Sequence, residues 1–403
     1  MARILKTITM EKDVDIVGVY AQKPAWPTIS VLFLGLIGSI TAELILTGSA
    51  VTIADEFGIN KHMLGRAVTA LAAFFTMLSG SKITRKINQR IVTLTLLLSL
   101  ILSNILISIG SNEMMFVIGR VLLGIVTGSF SLIFISVFRN LGSEKVIKKN
   151  LSIVFTGVLL ASGTVVTLGS ALEKVPGWRT SGLLISIIVI TSFFCLMIGP
   201  QDLKFKSQKS GPALIDLLAH RSNKIATLVV VLLLGGQFAF IMYLRPFLEA
   251  VADFHGYSSF SFLITFVILN FLGVWLDTLI LRNNPFLKLI VLPAAIACAL
   301  LAMVLCGHIL WLTYVLIIFL GCFNGPFMIG WARWLTQNFT SNGSFLLLAV
   351  IQLSIALGSV GGGLISKISG AKAVFTFSGT VLLVVPLCIM VLCSSIDPKA
   401  GSR

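Results

Sequence analysis

The sequence alternates between long apolar runs and short polar segments. A helix needs about 20 apolar residues to cross roughly 30 Å of hydrocarbon, and twelve runs of that kind occur. The polar, basic stretch 200–223 divides them into halves 28–199 and 224–393, between tails 1–27 and 394–403. The twelve predicted spans are 28–54, 65–83, 91–110, 114–138, 151–172, 180–199, 224–248, 257–281, 286–306, 309–332, 344–366 and 373–393.

Composition agrees with this pattern. Hydrophobic residues make up 57% of the 403 residues and charged residues only 11%, whereas soluble domains carry roughly 25% charged residues. The chain is therefore predicted to be an all-α, multi-pass membrane protein. The N-terminal stretch 1–27 has no apolar h-region and no small-residue cleavage site, so we interpret it as a mature cytoplasmic tail.

The basic residues predict the orientation. Net charge is +15, but the Lys and Arg residues lie between apolar runs instead of forming one patch, which argues against nucleic acid as a partner. Cytoplasmic loops are enriched in Lys and Arg, and a cytoplasmic N-terminus places most of them inside. Lys367 and Lys372 run against this rule. The residues placed inside are Lys82, Arg85, Lys86, Arg90, Arg139, Lys145, Lys148, Lys149, Lys204, Lys206, Lys209, Arg221 and Lys224.

The two halves share a glycine pattern. "LLGIVTGSF" in the fourth span resembles "FLGCFNGPF" in the tenth, so that Gly124 matches Gly321 and Gly128 matches Gly325. A second match pairs Gly80 with Gly273. Small residues allow membrane helices to approach closely, and repeats around a midplane site are typical of alternating-access transporters.

Several segments carry a family resemblance. They are "IGRVLLGIVTG" (118–128), "GWR" (177–179), "GQFAFIMYLRPF" (236–247), "IGWARWLTQNF" (329–339) and "AVIQLSIALGSVGGG" (349–363). Over nearly its whole length the chain resembles the major facilitator superfamily. Within it, the chain is most similar to bacterial twelve-span drug:proton antiporters of the sugar and purine-nucleoside efflux branch. The resemblance implies the major facilitator fold, with two pseudo-symmetric six-helix bundles.

The resemblance also implies gating residues. The family's loop after the second span has Gly, three residues and then Asp, but here Thr84 follows Gly80. The second half keeps both residues as Gly273 and Asp277, so the gating role of the Asp carries over to Asp277 alone. The antiporter motif of the fifth span has Thr167 where the family has Pro, which leaves the direction of transport open.

Glu43 is the charged residue that most needs an explanation. It interrupts the apolar run 28–54, and ionisable residues inside spans usually face a cavity or one another. Arg120 enters the fourth span from the other direction and is expected at a similar depth. Burial favours the neutral carboxyl and a nearby guanidinium favours the charged form. We expect Glu43 to carry the proton and Arg120, which matches a family motif residue implicated in coupling, to tune it. The alternative is a structural pair.

A second set of residues is expected to bind substrate. Gln237, Asn324 and Gln352 are amides inside apolar spans, and an amide in hydrocarbon needs a partner. Hydrogen bonds between helices are the alternative to a ligand. Neighbouring aromatic residues could stack on a flat ring. Arg245, before Pro246, either contacts substrate or extends to the headgroups. The aromatic candidates are Phe238, Tyr243, Phe327 and Trp331.

These patterns favour a proton-coupled exporter of a nucleoside, sugar or drug in a bacterial inner membrane, with both termini cytoplasmic. Uptake of a metabolite or siderophore by proton symport is the alternative. The four histidines are scattered, no metal-ligand spacing occurs and no G-x-x-x-x-G-K-[ST] loop is present. We therefore expect no enzyme activity, metal or cofactor. The expected partners are a small-molecule substrate, protons and the lipid bilayer, and the expected state is a monomer.

Overall fold

A computed structural model describes residues 34–44, 53, 56, 67–78, 89–110, 112–139, 165, 177–198, 221–251, 257–280, 285–338 and 343–396. All regular secondary structure in these ranges is helical. The helices are α1 (Leu34–Leu44), α2 (Ala67–Leu78), α3 (Gln89–Ile109), α4 (Glu113–Arg139), α5 (Trp178–Ile198), α6 (Arg221–Val251), α7 (Tyr257–Ile280), α8 (Pro285–Cys306), α9 (Leu310–Asn338), and the long segment Gly343–Ile396.

Gly370 divides this last segment into two helices, which we name α10 (343–369) and α11 (371–396). Its backbone angles are φ +77° and ψ 177°. Essentially only glycine adopts this region, so the chain can turn here between two antiparallel helices. The break falls in the predicted loop between the spans 344–366 and 373–393.

The described helices coincide with eleven of the twelve predicted spans, and most boundaries agree within three residues. The exceptions are α9, which continues to Asn338 beyond the predicted end at 332, and α1 and the end of α2, where the described residues stop inside the predicted limits. Six apolar helical segments of the described ranges are long enough to cross a membrane, and one of them, Leu348–Met390, contains both α10 and α11. Helices suit hydrocarbon because each backbone donor and acceptor is satisfied within the segment. The all-helical membrane fold is confirmed, and the number twelve stays a prediction because the fifth span is described only at Val165.

Glycines bring α4 onto α2 and α9 onto α7. A β-carbon on Gly124 would collide with the backbone oxygen of Thr69 in α2. In the second half, a β-carbon on Gly321 would lie 2.9 Å from the backbone oxygen of Phe266 in α7. Thr69 and Phe266 are separated by 197 residues, as are Gly124 and Gly321. The same helix pair is therefore packed in the same register in each half.

The next helical turn repeats this relationship. A β-carbon on Gly128 would lie 2.7 Å from the backbone oxygen of Ala73, and one on Gly325 would collide with that of Asn270. Both pairs again differ by 197 residues. The internal repeat suggested by the glycine pattern is thus a repeat of packing.

The same register changes one match. Thr76 contacts the Gly128 position and Gly273 contacts the Gly325 position, so Gly273 is the packing counterpart of Thr76. Gly273 itself lies against the backbone of Cys322 in α9. Gly80 lies outside the described residues.

Each half has its own apolar core, and the halves also contact one another. Leu44 and Ile40 of α1 pack into the core formed mainly by α6 to α11. Nearer the other end of the molecule, Met77 of α2 and Leu132 of α4 pack with Ala349 of α10. The described part of α1 is therefore placed at the seam between the two halves.

The tails and the central loop lie outside the described residues, apart from the helical residues 221–223 and 394–396. The domain boundaries and the orientation in the membrane stay predictions.

Candidate functional site

Glu43 is buried in α1. Its relative exposure is 8%, while Leu34 and Ile37 of the same helix are exposed. At about 100° per residue, Glu43 lies on nearly the opposite side of α1 from this exposed stripe. Its carboxyl therefore faces the protein interior, next to the seam that Ile40 and Leu44 form with the second half.

An ion pair closes one end of the first half. Arg179, at the start of α5, holds the Glu56 carboxylate through two hydrogen bonds of 2.9 and 2.5 Å. Arg179 also donates to the backbone oxygen of Gly110 at 3.3 Å, and the Trp178 indole Nε1 donates to Glu56 at 3.2 Å. We call Glu56, Trp178 and Arg179 the end clasp. Gly177, with φ +82°, provides the backbone turn that precedes it.

Aromatic rings connect the end clasp to Arg120. The Trp178 ring meets the Phe116 ring edge-on, with 6.3 Å between centroids. The Arg120 guanidinium carbon lies 5.0 Å from the centroid of that Phe116 ring, within the range of a cation–π interaction. Arg120 is fully buried, and its backbone oxygen accepts a hydrogen bond from Thr69 at 3.0 Å. Its cation is thus stabilised in part by an aromatic face.

Glu43 and Arg120 lie at a common depth. A β-carbon on Gly35 of α1 would lie 2.7 Å from the Phe130 ring of α4, so these two residues share one level. Gly35 and Gly38 of α1 meet Leu97 and Leu100 of α3 in the same order, so α1 and α3 run parallel. Ser103 contacts Gly119 and Gly110 contacts Met115, so α3 and α4, and hence α1 and α4, run antiparallel. At about 1.5 Å per residue, Glu43 is about 12 Å and Arg120 about 15 Å from the shared level, both towards the clasp. The similar depth expected from the sequence is what these contacts imply.

Three buried amides form a chain in the second half. Gln237 of α6 donates through Nε2 to Asn324 Oδ1 of α9. Asn324 donates in turn through Nδ2 to Asn270 Oδ1 of α7 at 3.1 Å. We call these three residues the amide chain. The structure thus brings together two of the predicted substrate residues and adds Asn270, which the sequence interpretation missed.

The amide chain has two unused ends. Among the described residues, the Gln237 Oε1 acceptor and the Asn270 Nδ2 donor have no hydrogen-bond partner, although both side chains are almost completely buried. Buried polar groups in proteins are nearly always hydrogen-bonded. Asn270 could have been found by the rule that selected Gln237, because it also interrupts an apolar span.

Gln352 lies in a different layer. Contacts of Gly358 with Gly235, and of Gly362 with Ala239, show that α6 and α10 run parallel. In this register, Gln352 is about 12 Å from the level of Gln237, towards the start of both helices. Its Oε1 has no hydrogen-bond partner among the described residues. The structure therefore does not place the three predicted amides in one cluster.

The predicted aromatic residues have different surroundings. Phe238, Phe327 and Trp331 are buried in the apolar core of the second half. Phe327 and Trp331 follow Asn324 at helical spacings of three and seven residues, so they share its side of α9. Tyr243 packs on Gly362 of α10, whose ideal β-carbon position lies 3.0 Å from the tyrosine ring.

The remaining predicted residues lie nearer the helix ends. Arg245 pairs with Glu249 one turn later in α6, with 2.9 Å between Nε and Oε1. This pair gives Arg245 a local partner, in addition to any role towards substrate. Of the gating residues, Gly273 packs on α9. Gly80 and the side chain of Asp277 lie outside what the structure describes.

Long apolar helices in two repeated halves, with ionisable and amide side chains buried inside them, are typical of a multi-pass membrane transporter. The family model described as Major Facilitator Superfamily matches residues 31–348. The chain belongs to this family.

Similar proteins have different names. The chain is 26% identical over 372 residues to the "Transcription regulatory protein OpdE" of Pseudomonas aeruginosa, covering 90% of this chain and 92% of that protein. It is 25% identical over 383 residues to the "Purine ribonucleoside efflux pump NepI" of Escherichia coli K12, covering 91% and 94%. Among solved structures, the human organic anion transporter MFSD10 (TETRAN) gives a TM-score of 0.66 at 14% identity, covering 91% of this chain and 100% of that one. This last likeness concerns the fold.

Proposed function

We propose that this protein is a proton-coupled transporter of the bacterial cytoplasmic membrane that exports a small polar or aromatic solute by alternating access. It works as a monomer with both termini in the cytoplasm. The observation that carries the proposal is the burial of Glu43 and Arg120 in one bundle at a common depth. Glu43 binds and releases the coupling proton, and Arg120 biases its charge state.

The surroundings of Glu43 support this assignment. A buried carboxylate loses its hydration, which favours protonation, whereas a guanidinium at similar depth favours ionisation. Rocking of the two halves changes the access of water at their seam, where Ile40 and Leu44 already contact the second half.

The amide chain supports a polar, uncharged substrate group. Amides supply donors and acceptors but no counter-charge, and a buried ion without one is costly. Phe327 and Trp331 lie on the same side of α9 as Asn324 and are buried in the apolar core beside it. The similarity to a protein named as a purine ribonucleoside efflux pump makes purine ribonucleosides the first substrates to test. Tyr243, Phe238 and Gln352 are further candidate contacts of the substrate, as is Arg245.

Gating is assigned to the contact of α7 with α9. Gly273 allows the two helices to touch at Cys322, and Asp277 follows one turn later in α7. With Gly80 in the first half, these residues would hold one arrangement of the two halves. Proton symport into the cell is the second candidate, because the same buried acid and amides would serve either direction.

Transport in oriented vesicles tests the proposal. Inverted and right-side-out membrane vesicles are given an imposed pH gradient and radiolabelled inosine, adenosine, glucose or a cationic dye. Export by antiport predicts uptake into inverted vesicles that requires an acidic lumen and stops when an ionophore removes the gradient. Accumulation only in right-side-out vesicles with acid outside supports import instead. Transport that does not depend on the pH gradient in either type of vesicle refutes proton coupling.

A further inference from the structure

The geometry points to the amide chain as one binding unit, in which Asn270 contacts the substrate and the substrate is an uncharged molecule of nucleoside type with both donors and acceptors. This inference rests on the proposed function for the transport role, and extends it to a residue and a rule of recognition. The juxtaposition that carries it is the line from Gln237 through Asn324 to Asn270, which joins α6, α9 and α7.

The two unused ends must have opposite polarity. Each amide group has one donor side and one acceptor side, so a chain of amides has a donor at one end and an acceptor at the other. Here the free acceptor is Gln237 Oε1 and the free donor is Asn270 Nδ2. If all three groups rotate together, the polarity of the chain reverses, but its ends stay opposite. A ligand that offers only acceptors would leave one buried end unsatisfied.

Burial makes the polarity of the two ends important for binding. The side chains of Gln237, Asn324 and Asn270 are almost fully buried. Leaving a polar group without a hydrogen bond costs much more free energy at such a buried site than at the surface, where water can satisfy it. The helices concerned are also held closely, since Asn270 lies where the backbone of α7 meets Gly325 of α9. The chain cannot easily rearrange to hide an unused end, so discrimination between ligands is expected to be large.

Asn104 provides a matched control. It is an asparagine of the first half, in α3, and is as deeply buried as Asn270. Its Nδ2 likewise has no hydrogen-bond partner among the described residues. It does not belong to the amide chain, so Asn104→Leu reports the general effect of replacing a buried asparagine.

The experiment measures inosine binding to the purified full-length protein in detergent by isothermal titration calorimetry, without any gradient. Asn270→Leu is expected to weaken inosine binding by about tenfold to hundredfold, whereas Asn104→Leu changes it less than about threefold. Asn324 connects the two ends, so the double variant Asn270→Leu/Asn324→Leu should bind no more weakly than Asn324→Leu alone. Asn270→Ser, which is too short to reach Asn324, replaces Asn270→Leu if the latter does not fold.

Each other outcome refutes a stated part. Equal effects of the Asn270 and Asn104 variants, additive effects in the double variant, or no inosine binding by the wild-type protein would overturn this inference. Any of these results would mean that the two ends of the amide chain bind only water. Inosine binding through Asn270 without gradient-driven transport would refute the proposed function alone. Gradient-driven inosine transport with unchanged affinity in Asn270→Leu would refute the inference alone.

Discussion

Arg179 grips Glu56 through two hydrogen bonds, although 123 residues separate them in the chain. Both side chains are partly exposed, at 33% and 40%, and exposed ion pairs contribute only about 0.2–1 kcal/mol. The indole of Trp178 adds a third donor to the same carboxylate. The clasp therefore fixes the positions of three segments more than it stabilises the whole fold.

Breaking the end clasp should lower the stability of the protein only slightly. Arg179→Lys keeps the charge but loses the paired geometry, and should lower the unfolding free energy by about 1 kcal/mol or less. The thermal unfolding midpoint in detergent measures this. A larger loss in Glu56→Gln than in Arg179→Lys is expected, because Trp178 then also loses a charged acceptor. Equal midpoints for wild type and both variants would contradict the assignment.

The glycine contacts predict opposite effects of the same substitution. Gly124→Ala and Gly321→Ala insert a methyl group into helix contacts that leave no room for it, and overpacking costs about 1–3 kcal/mol. Gly361→Ala is the matched control, since nothing described lies within 4 Å of its ideal β-carbon. There the higher helix propensity of Ala should stabilise by up to about 1 kcal/mol. The thermal midpoint in detergent is expected to be highest for Gly361→Ala, lower for the wild type, and lowest for Gly124→Ala and Gly321→Ala.

Gly370 should tolerate neither Ala nor Asn. Its φ of +77° with ψ of 177° differs from the left-handed helical region that Asn enters readily. Strain in this region costs about 1–3 kcal/mol. Both Gly370→Ala and Gly370→Asn are therefore expected to lower the thermal midpoint. Recovery of the wild-type midpoint in Gly370→Asn would show that the break between α10 and α11 adopts a different backbone conformation.

Glu43→Gln should separate movement of substrate from use of the proton gradient. A permanently neutral amide cannot exchange a proton, so gradient-driven accumulation is expected to vanish while exchange of labelled for unlabelled substrate continues. The pH dependence of exchange should flatten as well. Glu113→Gln, in the first turn of α4, is the control and should retain accumulation. Normal accumulation in Glu43→Gln would rule out Glu43 as the proton carrier.

The local pattern was informative where one residue's chemistry conflicts with its surroundings. Glu43, Gln237 and Asn324 stand out because each is polar within an apolar run, and the structure buries all three. Glu56 gave no such signal, because a carboxylate near a helix end is ordinarily solvated. Asn270 carries the same signal as Gln237, because it is also an amide within an apolar run, but it was not among the predicted residues.

The glycine repeat shows that pairing sequence motifs does not always give the packing register of two helices. Gly124 and Gly321 were paired correctly by their neighbours, and their contacts with Thr69 and Phe266 repeat at the same separation. A sequence motif pairs Gly80 with Gly273, whereas the packing of the described residues pairs Thr76 with Gly273. Register depends on which backbone atoms face a glycine, and this is a property of two helices together.

By itself the sequence determined the helical membrane fold, the approximate limits of the described helices and the family, because the thickness of the hydrocarbon layer constrains every span in the same way. The tertiary structure alone decided which polar groups meet. It joined Gln237 to Asn324 and Asn270, and it set Gln352 apart. Hydrogen bonds and burial depend on how helices are rotated and shifted against one another, and distant parts of the chain set those rotations only when they pack.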